Sequence, residues 1–113
     1  YGPNTNLGHN SMVLMFEAQA DYITRAIAEA QQRGISWLEV KSEAEQAYNE
    51  ELQRRLRRSV WMAVSNWYRD GERITNNWPG STREYDRRTR QVNWSDLDLV
   101  ARKDPAKLAQ SAE

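Results

Sequence analysis

The residues best placed to do chemistry stand at the beginning of the chain. YGPNTNLGHN carries two glycines, one proline and three asparagines, and runs straight into an amphipathic helical pattern. A helix start offers unpaired backbone amides and the positive end of the helix dipole, both of which favour negative charge. Gly2 and Gly8 let the backbone approach a ligand closely, Pro3 fixes the loop, and the asparagines with Thr5 supply neutral hydrogen bonds. The chemistry this suggests is recognition of an anion or oxyanion. Any loop entering a helix shares part of this character, and the phosphate patterns G-x-G-x-x-G and Gly-Lys-Ser/Thr are absent.

The remaining candidates are weaker. His9 is the only histidine, and one histidine makes neither a metal site nor a triad, so a hydrogen-bonding role outranks acid–base catalysis. The clusters RRLRR and RRTR, with tryptophans nearby, suggest nucleic-acid binding. Acidic partners four residues away and a formal net charge of +0 argue instead for a salt-bridged, solvated face and no nucleic acid. The aspartates and glutamates show no metal-binding spacing, so no metal is expected.

These residues need elements to hold them. Met12, Met15, Phe16, Tyr22, Ile23, Ala26, Ile27 and Ala30 recur at helical spacing, broken only by Gln19, which predicts a first helix over roughly 11–33. Asn10 or Ser11 is placed to cap it and Gly34 to end it. ISWLEV predicts a short extended segment over 35–40. SEAE, with Ser42 and Glu45 as a capping box, opens a second helix over about 43–59. Its apolar stripe is Ala44, Tyr48, Leu52, Leu56 and Val60, with Glu50–Arg54 and Glu51–Arg55 as supporting pairs. Residues 60–80 read as an aromatic loop or hairpin with a turn at Asp70-Gly71 and a stop at Pro79-Gly80. STRE, with Ser81 and Glu84, starts a short basic helix to about Arg90, supported by Glu84–Arg88 and Asp86–Arg90. Little periodicity follows Trp94, and a polar tail occupies 101–113. The fold expected is mainly α.

The totals bound the rest. The chain of 113 residues is enough for one small domain, and hydrophobic residues at 39% make its core thin. Five tryptophans and five tyrosines against one phenylalanine suit half-buried surfaces facing a partner. With no cysteine there is no disulfide framework, and a reducing compartment, the cytoplasm, is the default. The longest apolar run, MVLMF, is too short to span a membrane. A beginning without Met or a charged leader reads as a piece of something longer.

GPNTNLGHNSMVLMFEAQADYI resembles the last flavin-contacting segment of the class B flavoprotein monooxygenases, the Baeyer-Villiger and related flavin-containing enzymes. The resemblance continues in order through YNEELQRRL, VW, SNWY, WPG and REYDRRTR, over roughly residues 1–100, and is nearest to the branch that includes 4-hydroxyacetophenone monooxygenase. It implies the C-terminal part of an α/β fold with two dinucleotide-binding domains, holding FAD and NADPH mainly outside this chain. Residues 1–34 would then be the flavin-contacting loop and last helix of the FAD-binding domain, and 35–100 a helical and aromatic-loop extension. The cofactor-contacting residues implied are Asn10, Ser11 and Met12, with His9 as a lesser candidate. Amides and a helix dipole aimed at the pyrimidine edge of the flavin would favour its reduction. Trp67, in SNWYRDG, matches the family's tryptophan near the nicotinamide and substrate, although packing alone is an equal reading. DGERITNN replaces the Gly-Ala-Asn-x-Pro-Gly-Lys run of better-known members, so a lysine contact from that run is not expected.

The resemblance implies insertion of one oxygen atom from dioxygen into a ketone, or oxygenation of a soft heteroatom, with this segment inactive by itself. Its partners would be the remainder of the polypeptide and a small organic substrate, without nucleic acid or membrane. Exposed arginines would dock on acidic parts of that remainder. The alternative is a small helical interaction module without catalysis, pairing with a copy of itself through exposed aromatic residues.

Overall fold

The apolar spacing of the first helix is realised as α1, Met12–Gln32, in a computed structural model that describes residues 2–7, 11–63 and 69–101. Ser11 holds the extended backbone of an N-cap, but its side chain makes no capping hydrogen bond. At the other end Gly34 adopts a φ of +65°, a left-handed conformation that a Cβ would disfavour, and its amide donates to Gln31 O at 3.1 Å. The helix therefore stops where the glycine predicts.

The extended segment is β1, Ile35–Val40, and its partner is β4, Leu97–Ala101. They run antiparallel with Leu38 opposite Leu99 and Val40 opposite Leu97. Lys41 extends the ladder, its amide donating to Asp96 O at 2.9 Å and its ammonium to Ser95 O at 2.8 Å. This corrects the expectation of an aperiodic stretch after Trp94: a 3-10 turn, Trp94–Asp96, leads straight into β4. Residues 102–113 of the expected tail lie outside the described residues.

The second helix, α2, is Ser42–Leu56, shorter at its end than expected. The expected capping box does not form. Lys41 is the N-cap, Ser42 is already helical, and no side chain caps the end. Glu43 and Glu45 in the first turn and Arg54 and Arg55 in the last still complement the helix dipole. Val60 falls beyond the helix, in a 3-10 turn at Val60–Met62, and is 73% exposed, so it does not continue the buried stripe. Glu51 pairs with Arg55 at 3.7 Å as expected, whereas Glu50 accepts from Gln46 Nε2 at 2.8 Å.

The hairpin consists of β2, Arg69–Asp70, and β3, Arg73–Ile74, turning through Gly71 at φ +58°. After Pro79-Gly80 comes α3, Thr82–Thr89. Here the cap forms as the spacing predicts, Ser81 Oγ accepting from the Glu84 amide at 3.2 Å. Arg25 of α1 reaches across to the other end, donating to Thr89 O at 3.3 Å and to Arg90 O. A cation at the carbonyl end of a helix is favourably placed.

The core joins Leu7 of the opening loop, Met15 and Ala18 of α1, Leu52 of α2, Trp78, and Tyr85 of α3. Burying each larger aliphatic side chain here contributes about 1.5–3 kcal/mol before entropy is counted. Leu56 and Ile74 are also fully buried. Among the described residues mainly α is the right description, with two small two-stranded sheets attached. Among the described residues, no helix is long and apolar enough to cross a membrane.

Candidate functional site

The opening loop is pinned to the stretch after the hairpin. Asn4 N donates to Thr75 O at 3.0 Å, Asn6 N to Asn76 O at 2.9 Å, and Trp78 N to Asn6 O at 2.9 Å. Asn6 and Asn77 form a parallel bridge. Thr5 Oγ1 turns back onto Gly2 O, closing the loop on itself. Asn4 sits at φ 54°, where asparagine is among the few side chains tolerated. Its carboxamide donates to Ile74 O at 2.8 Å and Asn77 O at 3.0 Å. Leu7, only 3% exposed, then anchors the loop in the core beside Met15. Residues 4–7, which precede α1, are thus fixed to residues 74–78 and to the core.

That start has the features that would suit an electron-rich group. No side chain caps it from Ser11, and no acidic residue stands in its first turn. Ser11 is exposed and Met12 is 40% exposed. These are two of the four residues that the family resemblance singles out at this end. His9 and Asn10, the other two, lie outside the described residues, as does Trp67. A backbone amide needs no particular side chain, so the described residues fit the edge of a flavin ring without supplying any charged ligand to it.

Around α1 the apolar surface is only half used. Met15, Ala18 and Ala30 are buried, while Val13, Phe16, Ile23 and Ile27 are between 44% and 60% exposed. At 100° per residue these four lie along one side of the helix, adjacent to the buried face rather than opposite it. A second apolar stripe of this kind on a polar chain is left exposed among the described residues.

On the far side of the core, charge is neutralised locally. Arg55 grips Glu84 with two hydrogen bonds, 2.7 and 2.8 Å, and Arg88 grips Glu51 with two, 2.6 and 3.3 Å. Both guanidinium groups lie over Trp78, at 5.7 and 5.5 Å from its ring centre, and Tyr85 meets that ring edge-on at 5.2 Å. The hydrogen bonds from Arg55 and Arg88 hold the carboxyls of Glu84 and Glu51 below their usual range. Burial pushes the Tyr22 and Tyr48 phenols upward, both beside a cleft of about 490 Å³ that also touches Trp78 and Tyr85. These arginines are occupied in structure rather than offered to an anion. Glu84–Arg88 and Asp86–Arg90 form at 3.3 and 2.7 Å, as their spacing predicts. Among the described residues there is no group of three His, Asp or Glu placed to hold a metal ion.

Sequence reasoning missed Gln53 and Asn77, buried near Ile74, and read Asn4 and Thr5 as donors to a ligand, whereas both are spent on the chain's own backbone carbonyls. No local pattern marks them, because their partners are up to 73 residues away.

Comparison with known proteins agrees with the resemblance. The chain is 44% identical over 104 residues to a Baeyer-Villiger monooxygenase of Pseudomonas aeruginosa, covering 88% of this chain and 20% of that protein. It is 39% identical over 106 residues to the FAD-binding monooxygenase ktnD of Aspergillus niger, covering 88% of this chain and 17% of that protein. A Baeyer-Villiger monooxygenase of Streptomyces coelicolor is 36% identical over 115 residues, covering 98% of this chain and 22% of that protein. No protein-family model and no solved structure matches the chain. Ordered identity along nearly the whole chain, against about a fifth of each relative, makes this a segment belonging to the FAD-binding and Baeyer-Villiger monooxygenases.

Proposed function

We propose that this chain is the C-terminal part of an FAD-dependent, NADPH-using monooxygenase, and that the start of α1 lies against the pyrimidine edge of the flavin. One oxygen atom of dioxygen would enter a ketone or a soft heteroatom, and the other would leave as water with the two electrons of NADPH. When bound, the flavin supplies the oxygen-activating chemistry. The chain's own contribution would be backbone N–H donors near Ser11 and Met12, together with the positive end of the helix dipole, and Asn10 and His9 are further candidates for the same role. Negative charge arising on the ring edge is stabilised there without any proton being moved. Trp67 is assigned to the neighbourhood of the nicotinamide and substrate, where its indole would shield the reaction from water.

The observation that carries this reading is an exposed α1 start with no acidic residue in its first turn, beside an apolar stripe of α1 that stays exposed among the described residues. On this reading the remainder of the polypeptide covers the stripe, exposed arginines meet its acidic surface, and residues 1–34 complete the FAD-binding domain. The enzyme is assigned to the cytoplasm. Expression of the whole protein tests the proposal. A yellow protein that oxidises NADPH with oxygen and adds one oxygen to a ketone or sulfide panel is expected, and a colourless protein without bound flavin would refute it.

The same exposed stripe favours one other reading, a self-pairing helical module. Sedimentation of the 113-residue chain separates them, since a folded, stable dimer would support the module. A monomer prone to aggregation would support the segment.

A further inference from the structure

We infer that Asn4 and Gln53 are positioning residues for the start of α1, locking the opening loop, residues 74–78 and α2 together through the backbone of Ile74. This rests on the proposal that the start of α1 faces the flavin. The Ile74 carbonyl accepts from Asn4 Nδ2 and from Gln53 Nε2, each at 2.8 Å. The Ile74 amide donates to Gln53 Oε1 at 3.1 Å. Two side chains from distant segments therefore hold one residue's N–H and both lone pairs of its carbonyl. Asn4 and Gln53 are only 5% and 9% exposed, and Ile74 is fully buried.

Apolar contacts alone would bury this loop but would tolerate sliding, whereas buried hydrogen bonds fix both position and direction. The register is fixed further by the three backbone bonds between residues 4–6 and 75–78. A slip by one residue would break all of them together. Leu7 of the locked loop and Met15 in the first turn of α1 belong to one buried cluster, so fixing the loop also fixes the start of the helix against it. Small misplacements of groups around a reacting centre cost rate far out of proportion to their size.

The test uses the whole flavoprotein. Asn4→Gly keeps the left-handed backbone and removes both donors, while Gln53→Met keeps the side chain's length and removes its donor and its acceptor without burying a charge. Each is expected to retain flavin, to shift the visible circular dichroism of the bound flavin, and to raise several-fold the fraction of NADPH lost as hydrogen peroxide. The double variant should be little worse than the worse single one, because both act on Ile74. Leu97→Val, which weakens the core in β4, serves as the control for stability and should change neither readout. If Asn4→Gly fails to fold, Gln53→Met carries the test, and amide exchange in the wild-type protein provides a second. The amides of Asn6, Ile74 and Trp78 should open in one cooperative step. Unchanged flavin dichroism and peroxide yield in the folded variants, or independent opening of those amides, would overturn the inference. A wild-type protein lacking flavin would instead overturn the proposed function and leave the amide result standing.

Discussion

Arg55 and Glu84 meet in a two-pronged ion pair, Nη1 to Oε1 at 2.7 Å and Nη2 to Oε2 at 2.8 Å, that ties α2 to α3. The closeness of Gly80 makes this arrangement specific. A Cβ on residue 80 would strike Glu84 Oε2 and lie 3.0 Å from Arg55 Nη2. Gly80→Ala should therefore push the Glu84 carboxylate aside and weaken the pair, and Glu84→Gln should remove its charge while keeping its shape. Each is expected to cost about 1 kcal/mol, since the groups are partly exposed and solvent screens them. Thermal unfolding of the whole protein checks this.

The same carboxyls set an acid limit. Glu84 and Glu51 are held below their usual range by hydrogen bonds from Arg55 and Arg88. Their stabilising contribution is present above the ordinary carboxylate range and is lost as pH falls through their depressed folded values. Stability measured by denaturant at a series of acidic pH values should fall less steeply in a Glu51→Gln, Glu84→Gln double variant than in the wild type.

Met12 is the first helical residue of α1, the position at which proline is best tolerated. Met12→Pro should leave the helix intact and delete one of the amides proposed to face the flavin. In the whole protein, weaker flavin retention is expected on dialysis, and full retention would count against an amide contact from this residue.

Substitution along the exposed stripe of α1 should have opposite consequences in two settings. Ile23→Glu with Ile27→Lys places a favourable charge pair four residues apart on the exposed side of the helix. The 113-residue chain should become more soluble by light scattering. The whole protein should lose yield and flavin, because the same face would then bury charge. Improvement in both settings would argue that nothing covers the stripe.

Trp67→Ala in the whole protein should leave flavin bound and raise peroxide release at the expense of product. Unchanged coupling, measured as product formed per NADPH consumed, would argue for a packing role.

Much of the fold was legible because it is written locally. The 3.6-residue spacing of α1, Gly34 at its end and Ser81 at the start of α3 each act within one turn of themselves. β4 was not, since Leu97 and Leu99 become a strand only through Val40 and Leu38, nearly sixty positions earlier in a chain of 113. At α2 the spacing of Ser42 and Glu45 matched a capping box, yet Lys41 took the cap because β1 runs directly into the helix. The candidate site divides the same way. A glycine- and asparagine-rich loop at a helix start is visible in the sequence, but its ligand came from resemblance. The side chains that hold it, Asn4 and Gln53, act through contacts across 70 and 21 residues.

The central claim is that the amides opening α1 lie against bound flavin. Hydrogen exchange at Met12, Val13 and Leu14 in the whole protein, with flavin bound and after its removal, tests it most directly. Slower exchange at these amides in the flavin-bound form, with the α3 amides unchanged, is the result predicted. Equal rates in the two forms would contradict it.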